Sequence, residues 1–171
     1  MESVAERARH EAEAYASSAG DERPLGGYLV VGGAYAATVA AVGGVTWRRG
    51  VRLPERIDPQ DLALVGVATH KLTRIISKAG ITSPLRAPFT RFRGRSGPGE
   101  LIEDTRATGV GKAVGELATC PFCLGQWVAT VFVAGMVNAP RLTRAVASVF
   151  AVLTLADFLH LSYCRLEQAA E

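Results

Sequence analysis

Charge is what long stretches of this 171-residue sequence lack. No Asp, Glu, His, Lys or Arg occurs between residues 117 and 140, none occurs between 24 and 47, and residues 145–164 hold only Asp157 and His160. A soluble core helix keeps a polar face, so runs of about 20 residues this poor in charge exclude an ordinary soluble domain and mark helices that cross a membrane. Three cysteines are an odd number and too few for a disulfide scaffold, so at least one thiol is free or a ligand. No Ser-His-Asp, Walker or Rossmann pattern is present, which removes the hydrolase, nucleotide-binding and dehydrogenase readings. There is no internal repeat and no low-complexity tract. With 49% hydrophobic residues and a formal charge of +3, neither a disordered chain nor a nucleic-acid-binding tail fits.

What is present is segregated. Residues 1–24 form a polar arm holding six acids against Arg7, Arg9 and Arg23, a balance that argues against a cleaved signal peptide. Within it, 2–17 favour a solvated helix through Ala, Glu and Arg. A first membrane span is expected over 25–47, where Gly33 and Ala37 give one small-xxx-small pair suited either to helix contact or merely to a lipid face. Asp58-Pro-Gln-Asp61 reads as a helix start, with Asp58 as cap, Pro59 in the first turn and Gly80 as the stop. That helix is apolar in its first half and carries Lys71, Arg74 and Lys78 in its second. It either crosses the membrane with its basic side chains snorkelling to one end or lies along the interface.

Residues 81–100 are rich in Pro, Gly and Arg and are expected to form a loop, followed by a weak helix over 103–117. Two further spans are expected over 122–139 and 145–164, joined so tightly that they must form an antiparallel hairpin turning near residue 142. Four spans with the N-terminus inside put 13 of the 19 Lys and Arg in the cytoplasm if Lys71 and Arg74 snorkel inward, and three spans with the N-terminus outside put 14 there. The positive-inside rule therefore leaves the number of spans open, but in both cases the 78–119 loop is cytoplasmic.

The densest chemistry lies in Glu116-Leu-Ala-Thr-Cys-Pro-Phe-Cys-Leu-Gly-Gln-Trp127, a Cys-x-x-Cys pair at the mouth of an uncharged run. No βαβ pattern surrounds it, unlike a soluble thiol oxidoreductase. Counting from a turn at residue 142 places Cys120 level with Cys164, and Cys123 level with His160. Asp157, His160 and Cys164 share one helix face, so a four-ligand zinc site of Cys120, Cys123, His160 and Cys164, backed by Asp157, is one reading. A dithiol redox pair is a second, and packing of small apolar thiols at a helix entry is a third. In the loop, Arg86, Arg91, Arg93 and Arg95 interleave with Phe89 and Phe92. They suit anionic lipid headgroups, together with Lys71 and Arg74 as lipid or partner contacts. Nucleic acid could use the same charges, but a loop tied to a membrane at both ends makes it an unexpected partner.

His70-Lys-Leu-Thr-Arg-Ile-Ile76, Ser83-Pro-Leu-Arg-Ala-Pro-Phe-Thr-Arg-Phe92, Gly97-Pro-Gly-Glu100 and the segment from Gly115 to Trp127 together resemble the DUF1360 family over residues 60–163. The resemblance implies a small bacterial integral membrane protein of uncharacterised function, some members being labelled sporulation-associated. The family motif maps onto Cys120, Cys123, Gly125 and Trp127. Cys164 belongs to no part of it.

The expectation is thus an all-α integral membrane bundle of three or four spans with a Pro/Gly/Arg-rich cytoplasmic loop, placed as a multi-pass protein in a bacterial plasma membrane. Residues 58–164 form the DUF1360-like domain. The leading function is non-enzymatic, the basic loop engaging lipid or a membrane partner with no cofactor. The alternative is a membrane thiol protein that uses Cys120 and Cys123 for zinc binding or dithiol chemistry.

Overall fold

The computed structural model describes residues 3–17 and 23–170. Of the polar arm expected over 1–24, residues 1, 2 and 18–22 lie outside the described residues. The chain runs α1 (Val4–Ser17), α2 (Leu25–Arg48), α3 (Pro59–Lys78), a 3₁₀ turn at Gly80–Thr82, α4 (Ser83–Arg86), β1 (Thr90–Gly97), β2 (Glu100–Thr105), α5 (Gly109–Thr119), α6 (Pro121–Asn138) and α7 (Pro140–Ala170).

Local chemistry sets most helix starts. Ser3 and Glu6 exchange hydrogen bonds in a capping box at the head of α1. There the backbone N–H of Ser3 holds the Glu6 carboxyl below its ordinary pKa. Asp58 caps α3 by accepting from the Gln60 N–H at 2.7 Å, with Pro59 in the first turn. Pro121 and Pro140 open α6 and α7, where a missing N–H costs nothing.

Side-chain contacts fix how the long helices run. Tyr28 in α2 meets Glu116 beside the start of α6, Tyr35 bonds Thr130 at 2.8 Å, and Thr46 accepts from the Asn138 amide at 3.0 Å. Helices α2 and α6 are therefore parallel. Asp61 pairs with Arg144 at 2.7 Å and Lys71 pairs with Asp157, so α3 runs parallel to α7. Helices α6 and α7 reverse direction at Ala139. The four long helices consequently alternate in direction, with one bundle end carrying the β1–β2 hairpin and α5, and the other carrying residues 49–58 and the Ala139 turn.

Helix α3 has a period-3.6 stripe of Leu64, Val65, Ala68, Leu72 and Ile76, which packs against Val128, Phe132 and Met136 of α6 and Ala147 and Phe150 of α7. Phe132 and Phe150 meet edge-on at 6.4 Å. Close approach is set by small residues: Ala68 and Ala147 are fully buried, and a Cβ on Gly135 would stand 2.6 Å from the Thr143 hydroxyl. Outside this narrow core the surface is apolar, with Leu29, Val152, Leu155 and Phe158 all exposed. Helices α2, α6 and α7 are long and apolar enough to cross a membrane. Helix α3 is not among them, because its charges dilute its hydropathy.

Three expectations are corrected. The chain is mostly helical but not all-α, since the stretch expected to be loop holds a turn of helix and β1, paired antiparallel with β2 from Thr90↔Thr105 to Gly97↔Glu100. Pro98 followed by Gly99 at φ +74° closes this hairpin, the residue pattern of a type II turn. The weak helix expected from 103 starts only at Gly109, because residues 100–105 are drawn into the ladder with β1. The α6–α7 hairpin turns at Ala139, three residues earlier than the count from 142 assumed.

Candidate functional site

The Ser83-Pro-Leu-Arg-Ala-Pro segment exists to deliver one side chain. After α3 ends at Lys78, the chain folds back through the 3₁₀ turn and α4 so that Arg86, with 1% of its side chain exposed, reaches under the helix end. Its guanidinium donates to the Ile76 carbonyl at 2.6 Å, the Ala79 carbonyl at 3.1 Å and the Thr82 hydroxyl at 2.7 Å. The fourth donor meets Glu103 of β2. Arginine thus satisfies carbonyls that a helix C-terminus leaves open, where a cation is also favoured by the helix dipole. The Thr90 hydroxyl closes the network by donating to the Arg86 carbonyl at 3.0 Å. Arg74 adds a forked pair to Glu100 at 2.6 Å, tying α3 to the other end of β2.

Helix α5 leads from this hairpin to the thiols. Gly115 lets it lie against the hairpin base, since a Cβ there would stand 2.9 Å from Thr105 and 3.2 Å from the Phe89 carbonyl oxygen. Gly27 plays the same part where α2 meets α5, a Cβ falling 2.8 Å from the Gly109 oxygen. At the elbow between α5 and α6, Cys120 is the N-cap, its sulfur accepting from the Cys123 N–H at 3.2 Å. The Cys123 thiol is exposed and lies against that of Cys120, with the Glu116 carboxylate close by. Glu116 in turn accepts from the Tyr28 hydroxyl.

The proposed metal ligands do not converge. Among the described residues no three His, Cys, Asp or Glu side chains gather into a metal-sized group. The reason is the turn position. Measured from Ala139, Cys120 is 19 residues away and Cys164 is 25, a difference of about 9 Å along the helices. Cys164 and His160 are exposed on α7, and Asp157 is committed to Lys71. Cys120 and Cys123 alone are brought together.

The basic set also divides. Arg86 is no headgroup contact, because it is buried on Glu103. Lys71, Arg74 and Arg93 are paired with Asp157, Glu100 and Asp104. Arg91 and Arg95 remain exposed on β1, with no ion pair among the described residues, beside Phe92 at 64% exposure. The acids Glu100, Glu103 and Glu116 and the Tyr28 hydroxyl were missed by sequence reasoning. The one available signal was that Glu100 ends the Gly-Pro-Gly turn and Glu116 opens the cysteine motif.

These features define a class: a bundle of long, outwardly apolar helices capped by an arginine-stapled β-hairpin and a thiol-capped helix elbow. Residues 64–163 match the family model described as a protein of unknown function, DUF1360, and the chain belongs to that family. The match begins inside α3 and ends near the end of the apolar part of α7, so it contains the staple and the elbow but not α2. No curated protein and no solved structure matches the chain.

Proposed function

We propose that this is a four-pass membrane protein without catalysis of its own, whose hairpin end lies on the cytoplasmic face of the plasma membrane and grips anionic lipid headgroups. The four-pass topology is supported by the parallel run of α2 and α6. One ends where the other ends, at Thr46 and Asn138, so the chain between them must return along the bundle, and α3 is that return. Its charges are tolerable at depth because Asp61, Lys71 and Arg74 each have a partner of opposite sign. This arrangement puts Arg86, Arg91, Arg93, Arg95, Arg106 and Lys112 at one end, which the positive-inside rule assigns to the cytoplasm.

The headgroup reading is carried by Arg91 and Arg95, which flank exposed Phe92 on a strand fastened to the end of α3. Each such arginine contributes about 1 kcal/mol near an anionic surface, and the aromatic ring suits the interface. Hydrogen exchange of residues 90–105 in lipid nanodiscs tests it. Slower exchange in anionic than in neutral discs is expected, and lost in Arg91→Gln/Arg95→Gln. Equal exchange in both discs contradicts it.

The thiol reading rests on a different observation, the exposed Cys123 lying against the helix-capping Cys120. It predicts a reversible Cys120–Cys123 disulfide in cells, detected by trapping thiols with an alkylating reagent. Two thiols alkylated under every growth condition would end it.

A further inference from the structure

We propose a second lipid site at the opposite end of the bundle: a groove between α2 and α6 that holds an acyl chain of an anionic phospholipid, its phosphate held by Arg48, Arg49 and Arg52. The groove encloses about 870 Å³ and is lined on one side from Tyr35 to Trp47 and on the other from Gln126 to Asn138. That volume is within the roughly 300–1,000 Å³ of ligand sites. Each wall covers 13 residues, about 18 Å of helix rise from first to last, against about 15 Å for one leaflet of a 30 Å hydrocarbon layer. The fit is to a single leaflet. On the reading that α2 and α6 cross the membrane, on which this site rests, the groove opens into hydrocarbon, where water is no competitor.

The mouth supplies the charge. Arg48, Arg49 and Arg52 alternate in sequence with the lining residues Trp47, Gly50, Val51 and Leu53, and none has an ion pair among the described residues. Trp47, 85% exposed, stands at the level where an indole favours the headgroup boundary. The walls are mainly apolar, and their polar groups are paired: Thr46 with Asn138 near the mouth, and Tyr35 with Thr130 at the far end, beside Gln126. A neutral apolar occupant would leave three arginines at the mouth without a counter-ion.

The test uses full-length protein in which Arg91→Gln/Arg95→Gln silences the hairpin's headgroup contacts, purified in mild detergent, titrated with dioleoyl phosphatidylglycerol or dioleoyl phosphatidylcholine and read by native mass spectrometry. With the groove otherwise unchanged, this protein should prefer phosphatidylglycerol by roughly tenfold. Gly43→Phe should lose both lipids, because Gly43 lines the groove and a Cβ there meets nothing within 4 Å, so the ring fills the groove without breaking helix contacts. Arg48→Gln/Arg49→Gln/Arg52→Gln, at exposed positions, should bind both lipids equally. Equal binding of the two lipids by the parent with an unchanged groove, retained phosphatidylglycerol when Gly43→Phe is added to it, or a dimer that this substitution converts to monomer would overturn the site, the last assigning the groove to a second copy. Release of the protein from membranes by alkaline carbonate would overturn the membrane reading and the site with it. A groove failure alone leaves the protein in the membrane.

Discussion

Arg86 and Glu103 form an ion pair in which only 1% and 5% of the side chains are exposed, and it joins the end of α3 to the second strand of the hairpin. A buried pair is a weak source of net stability, but removing one partner strands a charge. Arg86→Ala or Glu103→Ala should therefore lower unfolding stability in detergent by about 3–5 kcal/mol. Arg86→Met with Glu103→Leu should cost less than either single change. The checks are chemical unfolding and protease sensitivity of residues 90–105. Single variants as stable as wild type would show that the staple is not holding the hairpin.

Lys71 and Asp157 pair across α3 and α7, with 17% and 54% of their side chains exposed. Partial exposure discounts the pair, so a double-mutant cycle should give a coupling of roughly 1 kcal/mol. Lys71→Asp and Asp157→Lys should each destabilise, and the swapped pair should recover most of the loss. Additive losses would mean that the two helices are held by packing alone.

Glycines offer a contrast within one helix. Gly27→Ala drives a Cβ against the Gly109 backbone oxygen at 2.8 Å and should cost about 1–3 kcal/mol by overpacking, whereas Gly33→Ala and Gly43→Ala meet nothing within 4 Å. Thermal unfolding of the three variants should show one large loss and two shifts near zero. Equal effects would mean that α2 does not seat on α5.

Cys120 separates structure from chemistry. As an N-cap its sulfur is replaceable by a hydroxyl, so Cys120→Ser should keep the stability of α6 and Cys120→Ala should cost about 1 kcal/mol. Equal losses in both would show that the thiol itself, rather than the cap, matters.

The parts of this fold legible in the sequence are those fixed by local rules. The charge-free runs became α2, α6 and α7, and Asp58-Pro59 opened α3 as capping chemistry requires. The hairpin was hidden because β1 has no buried alternating face: seven of its eight residues are exposed or half-exposed, and the pairing slips near Phe92 and Arg95. It is fastened to the end of α3 through Arg86 and Glu103, a contact 17 residues apart that no periodicity announces. The thiol pair was visible from its spacing. The four-ligand set failed because a three-residue error in a turn moves facing residues past one another by more than a helical turn.

The most direct measurement is the sidedness of two introduced cysteines, Glu55→Cys and Ser96→Cys, in a chain whose three native cysteines are changed to Ser. Residue 55 lies in the connection from α2 to α3 and residue 96 in β1, at opposite ends of the bundle. In intact cells an impermeant maleimide should label Glu55→Cys alone, and Ser96→Cys should react only after the membrane is opened. Labelling of Ser96→Cys in intact cells, or protection of both positions, would contradict a four-pass bundle with a cytoplasmic hairpin.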